Sequence, residues 1–165
     1  MSDVHVPAYV GLGSNLEDPV QQVRAGLEAL ARIPRTRLVA RSHLYRNPPM
    51  GPPGQPDFVN AVAGLLTCLS AEALLGELQA IENAQGRRRD GARWGPRILD
   101  LDLLLYGSVR MRGETLTLPH PGLPERAFVL TPLREIAPAL RTPDGSSVAR
   151  LAAALGDAGL QRLPD

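Results

Sequence analysis

The segment that most constrains the fold of this chain is residues 94–105, which read WGPRILDLDLLL. Successive side chains of an extended strand point to opposite faces of a sheet. One face is therefore expected to carry Ile98, Asp100, Asp102, Leu104 and Tyr106, and the other Leu99, Leu101, Leu103 and Leu105. The leucine face can be buried in a core. The two carboxylates would stand roughly 6.5–7 Å apart, two rises of about 3.3 Å, so they can converge on common cations.

A dense group of arginines precedes this strand: Arg87, Arg88, Arg89, Arg93 and Arg97. The planar arginine fork suits phosphate oxygens, and paired carboxylates suit Mg²⁺. Together they predict a polyphosphate site with Mg²⁺ at the two aspartates. The alternatives are a solvated sheet edge for the acids and a solvated basic loop for the arginines. The otherwise apolar strand favours the metal site, because uncompensated charge there is costly.

Composition excludes several classes of protein. No apolar run approaches the ~18–20 residues of a membrane span, and the N-terminus lacks the form of a signal peptide. We therefore expect a cytoplasmic protein without a membrane partner. The chain has a single cysteine, and no two of its three histidines are spaced as a pair of metal ligands, which argues against structural zinc. All 18 basic residues are arginine, so there is no lysine for a Schiff base or a P-loop, and the net charge of +1 does not indicate nucleic-acid binding.

The pattern of apolar residues and breakers predicts a single domain over residues 1–165. Strands are expected at 8–12, 38–45, 58–67 and from 98 onward, followed by a hairpin strand after Gly107. Helices are expected from an Asp18 N-cap to about Ile33, from a Ser70 cap to Gly86, and over 124–135 and 147–155, whereas the proline-rich residues 47–57 form a loop. This order predicts an α+β fold: a ferredoxin-like βαββαβ core with an antiparallel sheet, helices packed on it and a C-terminal extension.

Several other residues allow two interpretations. Gly11 and Gly13 are best explained by a tight turn from strand to helix, because the full nucleotide-loop fingerprints are absent. His120 could contact a ligand or lie on the surface. Phe58 and Phe128, the only phenylalanines, would ordinarily be core residues.

Four motifs carry a resemblance to a known family: residues 45–51, 55–60, 93–102 and 118–120. In sequence and order they resemble the 6-hydroxymethyl-7,8-dihydropterin pyrophosphokinases of folate biosynthesis, and the resemblance extends from residue 9 to residue 138. It implies transfer of an intact pyrophosphoryl group from ATP to the hydroxymethyl oxygen of the pterin, with release of AMP. We also expect a monomer that binds no nucleic acid, with contact with other folate-pathway enzymes as an alternative to acting alone.

The resemblance also implies roles for individual residues. Asp100 and Asp102 would hold two Mg²⁺ ions, with Arg87 and Arg89 as further catalytic groups. ATP would be bound by Gln79, Glu82, Arg87, Arg89, Trp94, Arg97, Leu103, Thr117, His120 and Arg126. The pterin would lie between Phe58 and Phe128, with contacts from Asn47, Pro48, Met50, Asn60 and Trp94. Asn47 and Met50 would act through their main chains.

The chain departs from the common family pattern at a few positions. Phe58 stands where tyrosine is frequent, which keeps stacking but loses a hydroxyl, and Asn47 replaces a frequent threonine. No residue stands out as a general base. Two rival functions are a ferredoxin-like RNA-binding domain, which gives the aspartates no purpose, and a two-metal nuclease or phosphatase.

Overall fold

The computed structural model describes residues 4–16, 18–48, 56–86 and 98–164. The strands in these ranges are β1 (Val6–Ser14), β2 (Thr36–Arg41), β3 (Tyr45–Asn47), β4 (Phe58–Thr67), β5 (Asp100–Tyr106), β6 (Met111–Arg112), β7 (Thr117–Leu118) and β8 (Gln161–Arg162). The helices are α1 (Pro19–Leu30), α2 (Ala71–Gly86), α3 (Ala127–Ile136) and α4 (Val148–Leu155), with a 3₁₀ turn at Leu123–Glu125. None of these helices is long and apolar enough to cross a bilayer.

Six strands form one antiparallel sheet in the order β5-β1-β4-β3-β8, with β2 also paired to β4. β1 and β4 are therefore central, and β5 lies at one edge. β2 and β3 share the place of a single strand in the βαββαβ order, and β6 pairs with β7 in a separate hairpin. The predicted α+β, ferredoxin-like fold is confirmed, and α3, α4 and β8 form its C-terminal extension.

The sheet separates two apolar cores. The first core lies against α1 and α2 and includes Ala8, Val10, Leu12, Val23, Leu27, Leu74, Leu78, Leu99, Leu101 and Leu103. The second core lies against α3 and α4 and includes Val62, Leu104, Leu105, Leu130, Leu133 and Val148. Because helices pack on both faces of the sheet in the described residues, the sheet is open to a ligand beyond the ends of these helices. The N-terminal end of α3 is such a place.

A β-bulge in β5 changes the predicted alternation. Val10 pairs with Leu103 and Tyr9 with Leu105, so Leu104 is an extra residue in the ladder. Leu104 and Leu105 both contribute to the second core, whereas Tyr106 packs against the first. The expectation that Leu105 lies with the other odd-numbered leucines, and Tyr106 with the acids, is therefore wrong. The aspartates precede the bulge, and their shared face is unaffected.

The predicted strand over 38–45 is interrupted. β2 ends at Arg41 and pairing resumes at Tyr45. Between them, Ser42 exchanges hydrogen bonds with Val62: its N–H donates to the Val62 carbonyl at 2.9 Å, and its Oγ accepts from the Val62 N–H at 2.9 Å. The Ser42 hydroxyl thus takes the place of a backbone carbonyl in the hydrogen-bonding ladder with β4. The strand propensity of these residues does not predict this exchange.

The helix boundaries agree with the sequence to within a few residues. α1 ends at Leu30 rather than Ile33, because the Ile33 N–H bonds back three residues to Leu30 (3.3 Å) and Pro34 follows. Asp18 occupies the N-cap position with φ of 61°, but among the described residues its side chain makes no capping hydrogen bond. Ser70 caps α2 as predicted, its Oγ accepting from the Ala73 N–H at 3.1 Å.

The helix predicted over 124–135 is divided. The 3₁₀ turn ends at Glu125, Arg126 is extended with φ of −116° and ψ of 100°, and α3 begins at Ala127. This break separates the Arg126 backbone from both helical segments and places it at the N-terminus of α3. Ser147, by contrast, caps α4 where the sequence predicts, accepting from the Arg150 N–H at 3.3 Å.

The Glu135 carboxylate of α3 forms hydrogen bonds with the segment between β2 and β3, where the strand is interrupted. The Glu135 carboxylate accepts hydrogen bonds from the His43 N–H (3.0 Å) and the Tyr45 hydroxyl (2.6 Å). Its Oε2 also lies 2.8 Å from His43 Nδ1. Burial and the hydrogen bond to Glu135 raise the pKa of Tyr45 to about 12, so the phenol stays protonated and remains a donor. The Arg162 side chain of β8 also reaches His43, at 2.6 Å.

We expect Glu135→Gln to lower the free energy of unfolding at pH 7 by about 1–2 kcal/mol, since hydrogen bonds to a charged acceptor are lost. Burial acts to raise the pKa of Glu135, but the hydrogen bonds from Tyr45 and His43 lower it below its ordinary value of 4.5. The stabilisation is therefore complete above the unfolded-state pKa and is lost as pH falls through the folded-state pKa.

Urea unfolding at several pH values tests this expectation. The difference between wild type and variant should shrink below about pH 4.5, and a difference that stays constant to pH 3 would contradict it. Glu28→Gln, at an exposed position of α1, is the matched control and should change stability by less than about 0.5 kcal/mol.

Candidate active site

Two glycines of β1 line a cavity of about 380 Å³ at the N-terminal end of α3. The sequence interpretation of Gly11 and Gly13 as a tight turn is wrong, because β1 continues in extended form to Ser14. A Cβ on Gly13 would stand only 2.8 Å from Oδ1 of Asn60. Glycine at this position therefore leaves room for the Asn60 amide.

Both aspartates of β5 line this cavity. Asp100 pairs with Gly13 and Asp102 with Gly11 in the sheet register, so both carboxylates rise beside the glycine floor. The Asp102 side chain is 46% exposed, and Asp100 is exposed as well. The predicted shared face is therefore confirmed, and it opens into the cavity.

Aromatic and amide side chains line the same cavity. Phe58, at the start of β4, and Phe128, in the first turn of α3, are both half-buried lining residues. Asn47 and Asn60 join them and are 8% and 6% exposed. The alternative of ordinary core packing for both phenylalanines is not supported, although Phe128 also packs against the second core.

His120 is held beside the carboxylates in a fixed orientation. Its Nδ1 accepts from the Gly122 N–H at 3.0 Å, so the proton of the neutral ring lies on Nε2, which is 3.9 Å from Oδ1 of Asp102. Burial lowers the pKa of His120; Asp102 acts to raise it and Arg126 lowers it further. The ring is therefore a neutral donor at pH 7 whose Nε2 lies near Asp102, although His120 itself is not among the residues that line the cavity.

Arg126 supplies a positive charge to the cavity. It lines the cavity, and its guanidinium carbon lies 5.9 Å from the centroid of the Phe128 ring. A cation at this distance from an aromatic ring is attracted to the ring face. The extended backbone between the 3₁₀ turn and α3 makes this position possible.

Other predicted site residues lie apart from the lining of this cavity, as far as the described residues define it. The Glu82 carboxylate accepts from the Leu101 N–H at 2.8 Å and so supports β5 between the two aspartates. Gln79 is exposed on α2, and Thr117 is half-buried in β7. The Leu103 side chain is buried in the first core, and Pro48 is exposed at the end of β3. The predicted residues Met50, Arg87, Arg89, Trp94 and Arg97 lie outside the described ranges.

The carboxylate pair fits Mg²⁺. In the described ranges, no group of three or more His, Cys, Asp or Glu side chains is gathered around one point. A metal held by Asp100 and Asp102 would therefore take further ligands from water and phosphate, which is the usual arrangement for Mg²⁺ in phosphate-transfer sites. The oxygen donors and the open space of the cavity suit that ion better than zinc.

Sequence reasoning missed the glycine floor and the side chain of Asn47. Gly11 and Gly13 are two residues apart, so in a strand they leave a gap on one face. That spacing is compatible with an open face on a strand as well as with a turn, and only the turn is predicted above. The Asn47 side chain accepts a hydrogen bond from Nδ2 of Asn60, a contact between strands that no local pattern announces.

We expect Gly13→Ala to lower the free energy of unfolding by about 1–3 kcal/mol, because the added methyl group collides with the Asn60 amide. The matched control is Gly76→Ala in α2, where a Cβ meets nothing within 4 Å. That change should stabilise the protein by about 0.5–1 kcal/mol. Urea unfolding measures both, and a stabilising Gly13→Ala would show that the amide moves aside without cost.

One cavity lined by two carboxylates, a cation, two aromatic rings and two amides is typical of an enzyme that brings phosphate groups to a flat acceptor. The α+β fold is consistent with that class. A family model, described as 7,8-dihydro-6-hydroxymethylpterin-pyrophosphokinase (HPPK), matches residues 9–138. The chain belongs to this family.

Similar proteins cover nearly the whole chain. A 2-amino-4-hydroxy-6-hydroxymethyldihydropteridine pyrophosphokinase of Pseudomonas aeruginosa is 53% identical over 156 residues, covering 94% of this chain and 96% of that protein. A protein of the same description from Haemophilus influenzae is 48% identical over 152 residues, covering 92% and 94%.

Solved structures of longer proteins share the fold. A crystal structure of a Plasmodium falciparum HPPK-DHPS mutant matches with a TM-score of 0.74 at 12% identity, covering 96% of this chain and 48% of that one. An HPPK-DHPS structure in complex with substrates gives a TM-score of 0.75 at 10% identity, covering 96% and 46%. This chain therefore spans about half the length of those proteins, and the likeness concerns the fold.

Proposed function

We propose that the chain transfers the pyrophosphoryl group of ATP to the hydroxymethyl oxygen of 6-hydroxymethyl-7,8-dihydropterin, giving the pterin diphosphate and AMP in tetrahydrofolate biosynthesis. One observation carries the proposal beyond family membership. The carboxylates Asp100 and Asp102 and the aromatic pair Phe58 and Phe128 line the same cavity, so a ring and a polyphosphate can meet there.

The part of the cavity lined by Phe58 and Phe128, its aromatic end, would hold the pterin. The rings of Phe58 and Phe128 would stack on the flat heterocycle, and the Asn60 amide would bond its polar edge. A cavity of about 380 Å³ is within the usual range for small-ligand sites. The main chains of Asn47 and Met50 and the ring of Pro48 would complete this end.

The part of the cavity lined by Asp100 and Asp102, its acidic end, would hold the triphosphate. Asp100 and Asp102 would bind the two Mg²⁺ ions, which when bound neutralise phosphate oxygens and align the β-phosphorus for attack. Arg126 and the Nε2 proton of His120 would bond phosphate oxygens. Burial keeps His120 neutral, so it donates without adding a charge that would compete with Arg126.

The transfer makes one bond and breaks one. The hydroxymethyl oxygen attacks the β-phosphorus, and the bond between that phosphorus and the oxygen bridging to the α-phosphate breaks. AMP leaves with the bridging oxygen, and the hydroxyl proton passes to solvent. Alignment at the cavity would replace a dedicated general base.

Further residues are proposed for the nucleotide. Arg87, Arg89 and Arg97 would bind the triphosphate, and Trp94 would close over both substrates and exclude water. Gln79 and Thr117 would contact the nucleoside. Because its side chain is buried, Leu103 would do so through its main chain. Glu82 would act near the nucleotide from its position against β5.

We further propose that residues 1–165 act as one pyrophosphokinase domain. The enzyme would work as a monomer in the cytoplasm, with no nucleic acid or membrane as partner. The net charge of +1 supports a small-molecule substrate over a nucleic acid.

The experiment follows AMP by chromatography in a mixture of purified protein, ATP, Mg²⁺ and 6-hydroxymethyl-7,8-dihydropterin. AMP release that requires the pterin supports the proposal. ADP or free phosphate would indicate a different phosphoryl transfer or hydrolysis, as in the nuclease or phosphatase alternative. A 6-methyl pterin, which lacks the acceptor hydroxyl, is the matched control and should give no AMP.

A further inference from the structure

Two buried amides meet at the aromatic end of the cavity. Asn47, the last residue of β3, and Asn60, in β4, are both less than 10% exposed. Nδ2 of Asn60 donates a hydrogen bond to Oδ1 of Asn47. Asn47 Nδ2 in turn donates to the carbonyl oxygen of Pro48 at 3.3 Å. The three groups form a short chain of hydrogen bonds that ends on the backbone.

The backbone end of this chain fixes the direction of every bond in it. A carbonyl oxygen only accepts, so the nitrogen of the Asn47 amide must face Pro48 and its oxygen must face Asn60. The Asn60 amide must then present its nitrogen to Asn47. Its Oδ1 therefore lies on the other side, against Gly13, where a Cβ would be only 2.8 Å away.

We propose that the side chain of Asn47 is a positioning group that sets the orientation of the Asn60 amide for ring recognition. This rests on the proposed function, in which Asn60 bonds the polar edge of the pterin. Asn60 offers the cavity one acceptor, Oδ1, and one remaining N–H, in a fixed order. A bound ring must therefore present a donor and an acceptor in the complementary order, as the amide-like edge of a 2-amino-4-oxo pterin does.

This role differs from the one that the sequence implies. The family resemblance assigns the main chain of Asn47 to the pterin, which makes the side chain unimportant. The structure instead places the side-chain oxygen on Asn60, a residue of the neighbouring strand. Asn47 then affects ring affinity only through Asn60. An amide released from this contact could turn by 180° and offer the wrong polarity for part of the time.

A double-mutant cycle tests the proposal. Asn47→Leu, which keeps the size but removes the acceptor, is expected to weaken pterin binding about tenfold, measured by calorimetry with a non-hydrolysable ATP analogue. Affinity for the ATP analogue alone should change less than about twofold. In the Asn60→Ala background the same change should alter pterin affinity less than about twofold, since the amide that it orients is gone.

A variant that keeps a hydrogen-bond acceptor at position 47 distinguishes the orientation of the Asn60 amide from a change in the shape of the cavity. Asn47→Thr provides a hydroxyl that can both accept from Asn60 and donate to the Pro48 carbonyl, and it is expected to bind the pterin within about threefold of wild type. If leucine prevents folding, as judged by thermal unfolding, Asn47→Ala takes its place with the same expected loss.

Three results would overturn the proposal: unchanged affinity in Asn47→Leu, an equal loss in both backgrounds, or an Asn47→Thr variant as weak as Asn47→Leu. Failure of wild type to bind the pterin would instead overturn the proposed function.

Discussion

Asp102→Ala is expected to lower kcat for AMP release by at least about a thousandfold, equivalent to ~4 kcal/mol of transition-state stabilisation. The variant removes one of the two carboxylates that would hold Mg²⁺ between the phosphates. Asp100→Ala should have an effect of the same order, because both acids rise from one face of β5 into one cavity. Retention of a tenth of wild-type activity by either variant would refute the metal role.

Loss of activity must be separated from loss of fold. The Asp102 side chain is 46% exposed, so its removal should change the free energy of unfolding by less than about 0.5 kcal/mol. Asp102→Asn keeps the shape without the charge and should be nearly as inactive as alanine. Asp157→Ala, at an exposed position after α4, is the matched control and should retain full activity.

Phe58→Ala is expected to weaken pterin binding about 30- to 100-fold, because stacking of a flat ring on an aromatic side chain contributes ~1–3 kcal/mol and the remaining Phe128 would have no partner across the ligand. Affinity for an ATP analogue alone should stay within about twofold. Calorimetry with each ligand separately measures both effects.

The conservative variant Phe58→Tyr is the matched control. It keeps the ring and should bind the pterin within about threefold of wild type. Equal weakening of both ligands by Phe58→Ala would mean that the variant disturbs the cavity as a whole. Unchanged pterin affinity in Phe58→Ala would mean that the pterin ring does not stack on Phe58.

Local sequence patterns predicted most of the fold, and they failed where a distant residue decides the structure. Strict alternation placed Asp100 and Asp102 together correctly. It failed beyond Leu103, because the bulge at Leu104 depends on the register with β1. The strand predicted through residues 42–44 is interrupted where Ser42 bonds to Val62 and His43 bonds to Glu135, 92 residues away.

The candidate site was predictable in a different way. Nothing in the spacing of Phe58 and Phe128 indicates that they meet, since they lie 70 positions apart, and composition alone favoured the core for both. The family resemblance paired them, and the structure puts both in one cavity. The orientation of the Asn60 amide required three-dimensional contacts, because it depends on a carbonyl of the next loop.

The contact between Glu82 and the Leu101 N–H has a consequence for association. β5 is an edge strand, and edge strands with free N–H and C=O groups invite pairing with strands of other molecules. Glu82 caps a donor on this edge, and the His120 N–H bonds the Leu104 carbonyl at 2.9 Å further along. A negatively charged cap repels an incoming backbone carbonyl. In the part of the chain that the structure describes, these two bonds occupy one donor and one acceptor of the strand that carries the aspartates, and so they disfavour intermolecular β-sheet formation there.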